Sequence, residues 1–292
     1  LARQMLSQDG IVFGAAFQDS RRLVHRRVET HGQLEPLLRS KYVQSETEDS
    51  FRQVKEALSS NRRVLFCGTP CQVAGLHAFL GDRPEGLVSC DFVCSGVPSP
   101  LSWRMHVEAM EKRHGSPVRN VSFRNKSGGW RRNSMQVTFE NGAAYNCPTQ
   151  RDPFFIGFGK ELFNRKACAH CRFRTQASSA DLTLADFWGI WKAGGENPAF
   201  RDDKGMSLVV VHTPVGQKAL SDTEHALNRI QRTYEEAESN NPRMTTSRPP
   251  SPLRNAYFGA IAAGRTYDDI AHAFMDNSSL RFHVKRLARM LL

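Results

Sequence analysis

One short, continuous apolar run, Val64-Leu65-Phe66-Cys67, does most to restrict how this chain can fold. A strand with no polar position is covered on both faces, which is the condition of a parallel sheet with helices on each side. Gly68-Thr69-Pro70 then turns the chain, and Cys71 to Leu80 places Val73, Leu76 and Leu80 on one helical face before Gly81 as C-cap. Leu87 to Val93 reads as a second buried strand, Cys94 to Pro100 as a loop, and Leu101 to Arg113 as a second helix. Strand, helix, strand, helix predicts a βαβ core over residues 64–113, and hence an α/β fold.

The flanks predict mixed sheets around that core. Ile11 to Phe17 reads as a strand with Leu23 to Glu29 as its partner, Gln33 to Arg39 as helical, and Thr47 onward as a helix presenting Phe51, Val54 and Leu58. Val118 to Arg124 and Ser134 to Glu140 read as strands, with a hairpin turn at Asn141-Gly142 and a return over Ala143 to Asn146. Phe154 to Phe163 is helical in pattern, Leu182 to Ala185 and Leu208 to His212 are further strands, and Pro214 to Ile230 is helical. Asn240 to Pro252 has the composition of a linker, and Tyr257 to Met275 the pattern of a helical pair. The expected division is an N-terminal lobe over 1–82, a larger lobe over 83–240, and a linker with a C-terminal helical tail over 241–292.

Charge and length bound the partners. The 292 residues carry 40 Lys and Arg against 29 Asp and Glu, a net charge of +11 that attracts anionic partners without saying which. No run of eighteen apolar residues predicts a membrane-spanning helix. Leu280 to Leu292 is basic and amphipathic; it predicts either a docked terminal helix or peripheral contact with an anionic membrane. The chain opens on Leu1 rather than Met, as a fragment or a chain missing an N-terminal module would, and shows no secretory leader.

Seven cysteines, an odd number without a leader, fit reduced thiols and a cytoplasmic setting. Cys168-Ala-His-Cys171 presents two thiolates to one metal, one cluster corner or a redox exchange. Cys71 falls at a predicted helix N-terminus after a parallel strand, where a thiolate is favoured. Cys94 ends the next strand, at the same carboxyl edge where open α/β sheets collect ligands. Four thiolates there suffice for a tetrahedral zinc or a cubane cluster. Cys67 and Cys90 each precede one of these by four residues inside a strand and read as core, while Cys147 before Pro148 reads as a loop spectator.

A second signal is Phe123-Arg124-Asn125-Lys126-Ser127-Gly128-Gly129-Trp130-Arg131-Arg132, with four cations, two glycines and an indole between strands. Such a stretch suits a phosphate and a flat ring, or is simply a solvated basic hairpin. RNA could use it too, but no other feature supports nucleic-acid binding, and none is expected. Asp186-Phe187-Trp188-Gly189 follows a strand and either contacts a cofactor or forms a packed turn.

Taken together, Val64 to Leu80 (VLFCGTPCQVAGLHAFL), Asp91 to Pro100 (DFVCSGVPSP), Phe123 to Trp130 (FRNKSGGW), Cys168 to Phe173 (CAHCRF) and Leu182 to Ile190 (LTLADFWGI) resemble the coenzyme F-420 hydrogenase/dehydrogenase beta-subunit family. Ser40 to Ser45 (SKYVQS) is similar to that family's motif, and the resemblance runs over residues 1–245 in the family's order. The family consists of iron–sulfur flavoproteins. Some reduce a deazaflavin coenzyme, a plant branch reduces a chlorophyll derivative, and many bacterial members lie among polysaccharide-synthesis proteins. The resemblance implies a 4Fe–4S cluster on Cys71, Cys94, Cys168 and Cys171, and FAD as cofactor. The motifs assign Ser40, Lys41, Tyr42, Gly68, Thr69, Arg124, Lys126, Gly129, Trp130 and Asp186 to the flavin site. The implied function is an oxidoreductase relaying electrons between an acidic ferredoxin-like carrier and a flat two-electron acceptor, of deazaflavin type or another small molecule. The alternative is a non-redox accessory protein beside polysaccharide-synthesis enzymes, with a structural four-cysteine zinc site and no flavin. The sequence departs from the family pattern at Ser95, where His is expected, at Ala185, where Gly is expected, and in lacking the ferredoxin-like module that usually comes first.

Overall fold

The computed structural model describes residues 1–193 and 202–276. Its strands, in chain order, are β1 (Ile11–Phe17), β2 (Leu23–Val28), β3 (Ser45–Glu46), β4 (Val64–Cys67), β5 (Leu87–Phe92), β6 (Val118–Asn125), β7 (Ser134–Phe139), β8 (Ala144–Pro148), β9 (Leu182–Asp186) and β10 (Ser207–Val211). Its helices are α1 (Ala2–Ser7), α2 (Ser50–Ser59), α3 (Pro70–Leu80), α4 (Pro100–His114), α5 (Pro153–Gly159), α6 (Ile190–Ala193), α7 (Pro214–Ser221), α8 (Tyr234–Ser239), α9 (Arg254–Ala262) and α10 (Tyr267–Ile270).

Seven strands form one sheet in the order β10-β9-β5-β4-β1-β2-β3. Its centre is parallel, β1 with β4, β4 with β5 and β5 with β9, while β2 and β10 join it antiparallel. The apolar run that predicted a covered strand is β4, with Val64, Leu65 and Phe66 all buried. Phe13, Val54, Phe66, Val73 and Leu76 pack on one face under α2 and α3. Met5, Leu6, Val12, Leu65 and Val88 pack on the other, under α1. A three-stranded antiparallel sheet, β6-β7-β8, packs with α4, α5 and the tail around Trp103, Phe123, Phe139, Phe154 and Tyr257.

The elements that matter for function leave the large sheet at one edge. β4 ends at Cys67 and leads into Gly68, β5 leads into Cys94, and β9 ends at Asp186. Leu23 pairs with Phe17, the end of β1, and also with Ser45, so the segment just before β3 reaches the same edge. Ligands in open α/β sheets bind outside these carboxyl ends.

Several local expectations change. Gln33 to Arg39 forms short 3-10 turns, His31–Gln33 and Glu35–Leu37, rather than a helix, because Pro36 has no N–H to continue a ladder. The helix from Pro214 stops at Ser221, and the helix from Pro153 at Gly159. Cys147 lies in edge strand β8, not in a loop. Asn240 to Pro252, a linker by composition, packs onto the protein: Met244 is fully buried, and Ser251 N–H donates to Glu161 O at 3.2 Å. The tail docks on α4 through Tyr257 Oη to Ser102 Oγ (2.9 Å), Tyr267 Oη with His106 Nδ1 (2.9 Å), and Arg113 with Asp268 (2.7 Å). Among the described residues no helix is long and apolar enough to cross a membrane. The predicted amphipathic stretch 280–292 lies outside the described residues.

Candidate functional site

The cysteine site is assembled from three loops. The first opens α3, where Thr69 and Gln72 form a capping box and the Thr69 N–H donates to Gln72 Oε1 at 2.9 Å. That cap fixes the first turn and leaves Cys71 exposed, with Thr69 Oγ1 3.2 Å from its Sγ. The second loop follows β5. Cys94 Sγ accepts from the Gly96 N–H at 3.4 Å, and Gly96 adopts φ +108°, which only glycine takes readily. The third is the Lys166–His170 turn, carrying Cys168 and running into Cys171.

Backbone bonds stitch the second and third loops together. Ser99 N–H donates to Phe163 O and Arg165 N–H to Val97 O, both at 2.9 Å. Arg174 then ties them to the strap formed by Asn240 to Pro252. Its Nη1 donates to Cys94 O (2.8 Å) and Arg243 O (3.2 Å), and its Nη2 to Cys168 O (3.5 Å) and Ser247 Oγ (2.5 Å). Burial pushes the Cys94 thiol up to about 12, and Cys168, Cys71 and Cys171 push it the same way. Cys168 is raised by burial first, with Cys71 and Cys171 adding to it. Among the described residues no three His, Cys, Asp or Glu side chains gather closely enough to hold a single metal ion. A tetrahedral zinc, with Zn–S near 2.3 Å, needs its sulfurs within about 4 Å of each other.

The second constellation lies where the small sheet meets the Asp186 turn. Arg124, on β6, pairs through Nη1 with Asp186 Oδ2, and Trp130 Nε1 donates to Asp186 Oδ1 at 3.0 Å. The Arg124 guanidinium lies 5.4 Å from the centre of the Trp188 ring. Its Nη2 is buried and has no hydrogen-bond partner. Arg124 is also on the wall of a half-open cleft of about 400 Å³ with Arg39, Ser40, Ser122, Lys126 and Gln136. Three cations and no carboxylate line it, so it favours an anion. Tyr42 completes the wall of aromatic packing beneath, edge-on to Phe155 and Phe158 at 5.0 and 5.5 Å. Burial raises its phenol, and the neighbouring Arg124 opposes that shift.

The predicted flavin-site residues therefore separate into groups. Ser40, Arg124 and Lys126 meet in the cleft, with Tyr42, Trp130 and Asp186 around Arg124. Lys41 turns back to donate to Leu38 O (2.7 Å) and Arg39 O (3.3 Å). Gly68 and Thr69 stand at the cysteine site. Gly129, at φ +103°, leaves room for Asp203, whose Oδ2 would lie 2.1 Å from an added Cβ. Trp130 is buried, its ring stacked on Trp188 at 4.7 Å rather than standing free. Cys67 and Cys90 are register partners across β4 and β5; Cys90 is buried and Cys67 partly so, as core residues. Sequence reasoning missed Arg174, Arg39, Ser122 and Gln136. Arg174 was discoverable as the last cation of the cysteine loop, and Ser122 and Gln136 as outward positions of alternating strands; Arg39 carried no signal.

The parallel sheet, with the cysteine loops and the cationic cleft off its carboxyl edge, defines an α/β protein of the open-sheet class. Residues 61–235, more than half of the chain, match the family described as the C-terminal part of the coenzyme F-420 hydrogenase/dehydrogenase beta subunit, and the chain belongs to that family. Membership supports a redox role. No curated protein matches the chain. A chain from the F-420-reducing nickel–iron hydrogenase complex of Methanosarcina barkeri, solved in a xenon-derivatised form, superposes with a TM-score of 0.52. Identity is 17%, over 84% of this chain and 82% of that one, which shows a shared fold.

Proposed function

We propose that this chain is an iron–sulfur flavoprotein oxidoreductase, passing electrons between a ferredoxin-like carrier and a flat two-electron acceptor. What supports this is that Cys71, Cys94, Cys168 and Cys171 are carried by three loops, two of them at the carboxyl ends of neighbouring parallel strands and the third tied to the Cys94 loop through Arg174. An all-sulfur donor set suits a 4Fe–4S cluster or a zinc ion, and membership of the family favours the cluster. Arg174 and the backbone hold the Cys94 and Cys168 loops together, which would keep two of the four proposed ligands in place. Loading such a site displaces the thiol protons.

The cleft suits FAD. The unpartnered Nη2 of Arg124 supplies a fixed N–H donor, Arg39 and Lys126 neutralise phosphate, and Asp186 holds the Arg124 fork in its orientation. When bound, a flavin supplies the conversion between two-electron and one-electron transfer. The likeness to a hydrogenase complex supports work alongside protein partners.

The test is anaerobic purification with a visible spectrum and assays for iron, sulfide, zinc and flavin. Iron and sulfide near four per chain with bound flavin are expected, and Cys168→Ala is expected to lose the iron. Zinc near one per chain, with no flavin after reconstitution, would overturn the proposal.

A further inference from the structure

The cysteine loop emerges through a cationic surface. From Arg165 to Arg174 the chain carries Arg165, Lys166, His170, Arg172 and Arg174 and no acidic residue. Arg174 is turned inward as the clamp, but Arg165, Lys166, His170 and Arg172 are exposed. Among the described residues, Arg165, Lys166 and Arg172 have no carboxylate partner, whereas Arg21, Arg22, Arg62 and Arg113 elsewhere on the surface are paired. Phe173, 38% exposed, adds an apolar contact beside Cys171, and Cys71 is itself exposed. Exposed cations without carboxylate partners and an exposed ring within one short turn and loop, together with the exposed Cys71, make a short contact zone rather than a groove.

We infer that this face, formed by Arg165, Lys166, Arg172 and Phe173, docks a small acidic one-electron carrier protein and brings it against the cysteine site. The inference rests on the redox reading above and names the partner's place on the molecule. Opposite charge steers encounter and sets the rate of association more than the final affinity. A central apolar contact fixes register once the partner has arrived. An acidic protein fits better than nucleic acid: the face offers one exposed aromatic ring rather than a series on which bases could stack. It fits better than a membrane because Phe173 lies on a short turn and loop, without the continuous apolar face of a surface helix.

The probe is an acidic bacterial-type ferredoxin, used with the full chain purified without oxygen. Binding is measured by calorimetry, and electron transfer by stopped-flow reduction. The Arg165→Glu/Lys166→Glu pair and Arg172→Glu are expected to weaken binding and slow reduction by the carrier by about tenfold or more at low salt. Adding salt should narrow the gap between parent and variants. Reduction by dithionite, which needs no docking, should be unchanged. Arg119→Glu and Arg151→Glu, exposed on the small sheet and its following turn, serve as controls and should have little effect. Carrier binding that is absent, indifferent to the loop variants, or equally sensitive to the controls overturns the docking surface. So does variant-sensitive binding of polyuridine RNA or anionic vesicles that exceeds carrier binding. Absence of iron and flavin is read separately, by composition, and overturns the redox reading instead.

Discussion

A methyl group on Gly96 would lie 3.3 Å from Asn164 Nδ2 and 3.5 Å from Cys168 Cβ, on a backbone whose φ of +108° already disfavours a side chain. Gly96→Ala should therefore cost about 1–3 kcal/mol in urea unfolding and lower the iron retained, since it displaces Cys168 from Cys94. Unchanged stability and iron content would show that the two loops are looser than their contacts imply. Arg124 makes a different kind of demand. Its fork is divided between Asp186 and the cleft, and a lysine cannot serve both with a single ammonium. Arg124→Lys should weaken flavin retention about tenfold, measured by fluorescence of the released cofactor, because a charge-assisted hydrogen bond contributes roughly 1.5–3 kcal/mol. Retention equal to the parent would remove the cleft from the flavin site.

At the scale of elements, the strap is the part that changes the picture most. Asn240 fills the space over Gly189, Met244 is buried with Trp130 and Phe187, and Arg243 and Ser247 meet Arg174. One segment thus touches both the tryptophan cluster beside Arg124 and the cysteine loops. Arg174→Gln should free it, with faster tryptic cleavage after Arg243 and Arg248 while the large sheet stays folded by circular dichroism. Equal cleavage rates would mean that Met244 alone holds the strap. In sequence this segment reads as a linker because Ser, Thr, Asn and Pro dominate it; its single buried anchor, Met244, has no periodicity to betray it. The opposite case is β4, where four apolar residues between turn signals left one structural solution. Two cysteines lie just past or at the ends of neighbouring parallel strands and two share a C-x-x-C loop, which is why the sequence alone puts them forward as one candidate set. The cleft was legible in part: Arg124 and Lys126 stand in one basic stretch, but Arg39, Ser122 and Gln136 are brought in only by the way the small sheet is placed.

For the molecule as a whole, buried imidazoles set the acid limit. Burial lowers His25 to about 4, and lowers His77, His106 and His212 as well. The neutral His25 ring fits its partners: Nε2–H donates to Cys67 O at 3.1 Å and Nδ1 accepts from Ser45 Oγ at 2.7 Å. Below the ordinary histidine range the unfolded chain takes up protons that the folded chain refuses. For His25, stability should then fall as pH drops from the ordinary histidine range toward 4, by about 1.4 kcal/mol per pH unit, with the half-exposed His77 and His212 adding less. Asp91 and Glu161, raised by burial, act the other way, as the pH falls through their raised pKa values. Urea midpoints compared near pH 7 and near pH 5 should show the loss, and His25→Gln should flatten it. A flat profile in the parent would mean the imidazoles are reached by water.

The Arg174 clamp also has a consequence for synthesis on the ribosome. Cys71 leaves the tunnel a hundred residues before Cys171, and Ser247, the clamp's last partner, comes later still. For most of translation the early thiols are therefore exposed without the segment that organises them, and a nascent chain halted before the strap presents unguarded sulfur to any oxidant or stray metal. The stretch from Arg172 to Ser247, which carries no cysteine, decides whether the earlier ones are safe.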